Sequence, residues 1–243
     1  MDKLILLILM VLLSSFGQSH AQRVIEFAGM EWTVKKCFQG PGPNYWSDSS
    51  KSVWVDSKGF LHLKIRKIKN VWHCAEISSN TEVGYGEYQF FLASKVDDYA
   101  PNVVVGLFIY ENDSSEIDIE FPVHDSGQTY GLYTVQPYPY TADNQDRFGI
   151  ELNGSFSTHK FIWHPDKVVF ESYHGHFENL VSENHIINQW TYEGNRIPKE
   201  GKARLHINFW LMGGNAPVEG KDAELIIHRV DFHPVQKPSS IEL

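Results

Sequence analysis

The sequence has few of the residues from which metal centres are built. Among 243 residues only Cys37 and Cys74 are cysteines, too few for a thiolate-bound zinc site. The twelve histidines are scattered, and the closest pair, His174 and His176, has no cysteine or carboxylate set around it. That pair predicts a polar loop rather than a metal centre.

Positive charge is also scarce. The chain has 21 Lys and Arg against 30 Asp and Glu, which gives a formal net charge of −9. Nucleic acids and anionic membrane surfaces select for basic patches, and an acidic chain is a poor match for either. We therefore expect no nucleic-acid partner.

Long hydrophobic runs are missing after the first 16 residues. One lysine precedes an apolar run from Leu4 to Phe16, and a polar stretch then ends at Ala21. This pattern is typical of a secretory signal peptide, and no later segment approaches the roughly 20 apolar residues that span a membrane. We predict a cleaved signal peptide over 1–21 and a single domain over 22–243. The protein is expected to be a monomer, extracellular or periplasmic, with no membrane anchor.

The export signal bears on the two cysteines. In an oxidising compartment a pair of cysteines is more often bridged than free, which favours a Cys37–Cys74 disulfide.

The rest of the chain is rich in short strand-like segments. Examples are FLHLKIRKI (60–68), NVVVGLFIY (102–110) and AELIIHRVDF (223–232), which carry alternating, β-branched or aromatic residues between Gly, Pro, Asn and Asp. Aromatic residues make up 14% of the chain, enough to serve a core and a surface that stacks on sugar rings. The pattern predicts an all-β antiparallel sandwich or jelly roll of two packed curved sheets, one of them with an open concave face.

One segment, SSEIDIEF (114–121), places three carboxylates at alternate positions. Successive side chains of a strand point to opposite faces, so Glu116, Asp118 and Glu120 share one face while the apolar residues between them enter the core. Acidic residues are poor strand formers and like charges repel, so a solvated edge would favour Thr, Lys or mixed charge. Paired carboxylates are, in contrast, the machinery of glycosidases. The residues alone leave an acidic edge and an active site both open.

The surrounding sequence resembles glycoside hydrolase family 16, which includes lichenases, laminarinases and xyloglucan endotransglycosylases. EIDIEF resembles the catalytic motif of that family. HCAEISSNTEVGYGEYQFFLAS (73–94), STHKFIWHPDKVVFESYHG (157–175), INFWLMGG (207–214) and AELIIHRVDF resemble further family strands in the same order. The similarity runs from about Val53 to Phe232 and implies a concanavalin-like jelly roll with retaining glycosidase chemistry.

The resemblance implies roles for individual residues. Glu116 matches the nucleophile, Glu120 the acid/base, and Asp118 the assisting carboxylate between them. The implied substrate-binding residues are Glu76, Trp210, Asn208, Gln136 and Tyr138.

The resemblance also bears on stabilising elements. Cys74 matches a cysteine that is disulfide-bonded in lichenases, with Cys37 as its only possible partner. Gly59 and Asp231 match the positions of a structural Ca²⁺ that many family members carry on the convex side. No cofactor is implied for catalysis.

Departures from the family pattern concern the substrate. The chain lacks the extra residue that laminarinases insert before the last glutamate, which favours the lichenase or xyloglucan-active side. GPGPNYWSDSS (40–50) has no clear lichenase counterpart. We expect a secreted retaining endo-glycosidase that acts on a polysaccharide, foremost a β-glucan. A xyloglucan transglycosylase and a non-catalytic glucan-binding lectin remain as alternatives, although such lectins tend to lose the two glutamates.

Overall fold

The computed structural model describes residues 22–122, 128–177 and 182–235 of the chain. The predicted signal peptide, 1–21, lies outside these residues. The described part forms seventeen strands and three short 3-10 turns. The strands are β1 Val24–Phe27, β2 Met30–Val34, β3 Phe38–Gln39, β4 Asn44–Trp46, β5 Val53–Val55, β6 Leu61–Ile68, β7 Val71–Glu82, β8 Gly86–Leu92, β9 Val103–Asn112, β10 Ser115–Phe121, β11 Tyr130–Val135, β12 Gln145–Gly149, β13 Ser157–Trp163, β14 Val168–His174, β15 Ile186–Tyr192, β16 Arg204–Leu211 and β17 Ala223–Pro234. The 3-10 turns are Val96–Asp98, Glu183–His185 and Met212–Gly214.

Two antiparallel sheets contain most of the strands. The front sheet has the order β1-β2-β7-β16-β9-β10-β11-β12. The back sheet has the order β5-β6-β17-β8-β13-β14-β15. A β3–β4 hairpin joins the start of β7 through a parallel pairing, and β6 pairs with β7 to link the sheets. The predicted all-β jelly-roll sandwich is confirmed.

The core lies between the two sheets and follows the strand alternation. On β10, Ile117, Ile119 and Phe121 are at most 1% exposed, and they enter the core together. From the back sheet Tyr88 and Phe161 stack at a ring distance of 4.7 Å. Burying such apolar side chains contributes about 1.5 to 3 kcal/mol each. The core face of β10 therefore fixes which side its carboxylates occupy.

No helix within the described residues is long and apolar enough to cross a membrane.

The two cysteines do not form the predicted disulfide; both are free thiols. Trp46 lies between them, because its N–H donates to the Cys37 carbonyl (2.9 Å) while its own position pairs in register with Cys74. Two strand spacings separate the cysteine Cα atoms by about 9 to 10 Å. A disulfide needs about 7 Å or less, so this register overturns the expectation.

The positions implied for calcium do not fit the ion. Gly59 lies in a turn with φ +85°, where its N–H donates to the Asp56 carbonyl (3.0 Å). The Asp231 carboxylate on β17 pairs with the Arg229 guanidinium at 3.0 Å. Calcium needs several oxygen ligands, and a carboxylate already paired with a cation is a poor one. Nor does the described part of the chain contain a metal-binding group of three or more His, Cys, Asp or Glu.

Candidate active site

The concave face of the front sheet brings residues from four strands into one row. Glu120 on β10 pairs with Gly106 on β9, which pairs with Asn208 on β16, and Asn208 pairs with Glu76 on β7. Residues directly opposite each other on neighbouring strands point to the same face. The side chains of Glu76, Glu120 and Asn208, which are 44 to 132 positions apart in sequence, therefore lie on the same face of the sheet.

These residues line a cleft with a volume of about 680 Å³. Seven of the eight predicted catalytic and substrate-binding residues line it: Glu76, Glu116, Asp118, Glu120, Gln136, Asn208 and Trp210. The eighth, Tyr138, is 76% exposed. It lies in an adjoining shallow cavity that shares Glu116, Gln136 and Tyr140 with the main cleft.

The three carboxyl groups of β10 are partly withdrawn from water and interact with one another. Burial, opposed by a hydrogen bond with Asp118, raises the pKa of Glu116 from its ordinary value of 4.5 to about 7. Burial and the charge of Glu116 raise the pKa of Glu120 to about 7. Burial and the charges of both glutamates raise the pKa of Asp118 well above its usual range. Together, Glu116, Asp118 and Glu120 therefore keep protons at a higher pH than free carboxyl groups do.

A loop after β11 supports the middle carboxyl. The Gln136 amide donates to Asp118 Oδ2 (3.1 Å) and to the Tyr140 hydroxyl (3.0 Å). The Arg196 guanidinium donates to the carbonyls of Pro137 (2.8 Å) and Pro139 (2.9 Å), which ties the loop to the chain after β15. Asp118 thus accepts a hydrogen bond from a residue that is itself held in place.

Glu76 is held by two residues that the sequence did not predict for the site. The Lys35 ammonium lies 2.7 Å from its Oε2 and also donates to the Gly40 carbonyl (2.9 Å). Nδ1 of His206 lies 3.2 Å from Oε1. Glu76 is only 5% exposed, and both of its oxygens are engaged. Any ligand group that reaches Glu76 in this part of the cleft therefore also meets Lys35 and His206, which line it.

A signal for His206 was present in the sequence, while Lys35 had none. His206 lies two positions before Asn208 and so shares its face of β16. Lys35 follows β2, and its N–H donates to the Glu76 carbonyl (3.0 Å), a contact that only the tertiary pairing creates.

On β16 the alternation sends Trp210 to the cleft. Phe209 and Leu211 are at most 1% exposed and belong to the core, while Trp210 is half-buried and lines the cleft. The indole Nε1 of Trp210 has no hydrogen-bond partner within the described residues. Because Trp210 lines the cleft, its ring can contact a ligand that occupies it.

Gly106 makes room for Asn208 beside Glu120, since a Cβ built on Gly106 would overlap the Asn208 Oδ1. We expect Gly106→Ala to displace the Asn208 amide and to lower any catalytic turnover in the cleft by about tenfold, at a stability cost of about 1 to 3 kcal/mol. Initial-rate assays and urea unfolding measure the two effects.

Gly149→Ala on β12 is the matched control. A Cβ there meets nothing within 4 Å, so activity and stability should stay near wild type. Unchanged turnover in Gly106→Ala would show that the position of Asn208 does not matter.

Fold and cleft together define a jelly-roll sandwich with three neighbouring carboxyl groups in its cleft. The family model of glycosyl hydrolases family 16 matches residues 43–220. The chain belongs to this family.

Solved structures share the fold at low sequence identity. A prokaryotic β-1,3-1,4-glucanase (lichenase) from a mouse hindgut metagenome is 19% identical, with a TM-score of 0.61 over 84% of this chain and 93% of that one. A Bacteroides ovatus mixed-linkage-glucan family 16 protein in complex with a G4G4G3G product is 14% identical, with a TM-score of 0.58 over 83% and 94%. A pseudo β-1,3-glucanase of Mycobacterium tuberculosis is 16% identical, with a TM-score of 0.60 over 84% and 91%. A comparison with curated protein sequences finds no match.

Proposed function

We propose that the protein is a retaining endo-β-glycosidase that hydrolyses internal bonds of a β-glucan. The observation that supports this most is the row of interacting carboxyl groups, Glu116, Asp118 and Glu120, in the cleft of a family 16 glycosyl hydrolase. Retaining glycosidases need one carboxylate as nucleophile and one carboxylic acid as proton donor.

Burial raises the pKa of both Glu116 and Glu120 to about 7, so the hydrogen bond between Asp118 and Glu116, and not the overall pKa, supports a division of roles. Asp118 has its pKa raised partly by its hydrogen bond with Glu116, and that same bond lowers the pKa of Glu116. Both directions follow when Asp118 keeps a proton and donates it to a Glu116 carboxylate. Glu116 is then the ionised nucleophile. Glu120, with its pKa raised by burial, is the proton donor.

In the first step Glu116 attacks the anomeric carbon and forms a glycosyl ester. Glu120 gives its proton to the departing glycosidic oxygen as the bond to the aglycone sugar breaks. In the second step the Glu120 carboxylate takes a proton from water, whose oxygen bonds to the anomeric carbon and releases Glu116. Two inversions give net retention, and no cofactor takes part.

The extent of the cleft supports a chain-like substrate. Its lining runs from Gln136 after β11 to Thr33 on β2, across six neighbouring strands. Five strand spacings correspond to about 24 Å, room for several sugar rings. An open groove of this length accommodates an internal segment of a polysaccharide.

A reducing-end assay across polysaccharides tests the proposal. We expect cleavage of β-1,3-1,4-glucan and weak or no cleavage of sulfated galactan, whose charge would face the cleft carboxylates. Cleavage of xyloglucan with transfer to added oligosaccharide would assign a transglycosylase instead. Binding without any release of reducing ends would assign a lectin and contradict the proposal.

We also propose that the protein is exported, because a polymeric β-glucan substrate would lie outside the cell. This proposal rests on the signal-peptide pattern of residues 1–21. Sequencing the amino terminus of the secreted protein checks it, with Gln22 as the expected first residue.

A further inference from the structure

Two exposed aromatic side chains of the β3–β4 hairpin form a row with a half-buried histidine of β7, outside the cleft. Phe38 on β3 pairs in register with Tyr45 on β4, and Tyr45 pairs with His73 on β7. The ring centroids are 4.6 Å apart for Phe38 and Tyr45 and 5.6 Å apart for Tyr45 and His73. We call Phe38, Tyr45 and His73 the aromatic row.

Two rings of the aromatic row are exposed to solvent, while the opposite face of the strands that carry them is packed. Phe38 is 58% exposed and Tyr45 is 46% exposed, whereas apolar rings of this size usually bury most of their surface. On the opposite face of the same strands, Asn44, Trp46 and Cys74 are at most 3% exposed. The Trp46 indole donates to the Gln39 carbonyl (2.8 Å). The packed residues on the opposite face therefore hold the rings of Phe38 and Tyr45 in exposed positions.

The shape of the aromatic row suits a linear ligand rather than a protein. Its three rings span two strand spacings, about 10 Å, in a strip one side chain wide. A stable protein interface buries about 800 Å² on each partner, far more than three side chains supply. Flat aromatic faces match the apolar C–H faces of sugar rings, and the Tyr45 hydroxyl can hydrogen-bond their hydroxyl groups.

The hairpin also connects the aromatic row to the cleft. Gln39, Gly40 and Pro41, at the turn between β3 and β4, line the cleft. Phe38 directly precedes them, so one hairpin carries both a cleft wall and the aromatic row. A glucan chain that leaves the cleft at this end passes the hairpin.

We propose that the aromatic row is a second glycan-binding site, separate from the cleft, which holds polymeric β-glucan next to the active site. The proposal rests on the proposed function for the identity of the ligand. It concerns long or insoluble glucan, because a short oligosaccharide bound in the cleft does not reach the outer face of the hairpin.

Two measurements on the same variants test this site. The first is retention of the protein on insoluble mixed-linkage β-1,3-1,4-glucan, and the second is kcat/KM on a soluble oligosaccharide of the same linkage. We expect the double variant Phe38→Ala/Tyr45→Ala to bind the polymer about tenfold more weakly, with kcat/KM on the oligosaccharide unchanged. Phe156→Ala removes a ring of similar exposure, 53%, directly before β13 and should change neither measurement.

The outcomes separate this proposal from the proposed function. Normal polymer retention in the double variant, with an active wild-type protein, would overturn the second site alone. A parallel loss on the oligosaccharide would place the two rings in the cleft and would also overturn it. A dimer in sedimentation that the double variant dissociates would make the row a protein interface. A wild-type protein that neither cuts nor retains any β-glucan would overturn both proposals.

Discussion

Glu116→Gln and Glu120→Gln should each lower kcat on β-glucan by at least about a thousandfold, while the fold is kept. The amide at position 116 cannot form the glycosyl ester, and the amide at 120 cannot protonate the leaving oxygen. Reducing-end release measures the loss, and circular dichroism checks the fold. Glu151→Gln, an exposed carboxylate outside the cleft, is the matched control and should remain fully active.

Rescue chemistry distinguishes the two roles. In Glu116→Ala, azide can replace the missing nucleophile on an aryl β-glycoside, and one inversion gives an α-glycosyl azide. In Glu120→Ala, the glycosyl ester still forms and azide replaces water, so two inversions give a β-glycosyl azide. Exchanged anomers would reverse the assignment of Glu116 and Glu120. More than a tenth of wild-type activity in either glutamine variant would rule out the mechanism.

How far the sequence predicts the fold depends on how clearly a strand alternates. On β10 and β16 one face is core and the other is cleft, so alternation predicts both strands and the direction of Trp210. On β7 four consecutive residues, from Cys74 to Ile77, are buried, because the β3–β4 hairpin covers Cys74 while Lys35 and His206 cover Glu76 on the same face. A strand buried on both faces loses its alternation, and β7 shows no clear period although it is twelve residues long.

The candidate site is predictable only where its parts are close in sequence. Glu116, Asp118 and Glu120 lie on one strand, so the pleat alone places them on one face. The clamp of Lys35 and His206 on Glu76 depends on the order in which β2, β7 and β16 pair. The pairing of β3 with β4 and of β4 with β7 sets Cys37 two strands from Cys74, which is why a rule based on compartment was wrong for this pair.

The buried carboxyl groups should make the free energy of unfolding fall as the pH rises from 4.5 to about 7. The pKa of Glu120 is about 7 in the folded protein against an ordinary value of 4.5. Below pH 4 the group is protonated in both states and has no effect on the free energy of unfolding. Between pH 4.5 and 7 the unfolded chain loses the proton first, so stability falls as pH rises through the folded pKa.

Glu120→Gln removes this penalty, because the amide stays neutral at every pH. We expect its free energy of unfolding to exceed that of wild type by about 1 to 3 kcal/mol at pH 8 and to equal it at pH 4. Urea unfolding at the two pH values measures the difference. Glu151→Gln, which is exposed, should show none. Equal stability of Glu120→Gln and wild type at pH 8 would mean that Glu120 is ionised at no cost, and it would then be a poor proton donor near neutral pH. The same burial that makes Glu120 an acid therefore costs the fold stability, and the inactive variant should be the more stable protein.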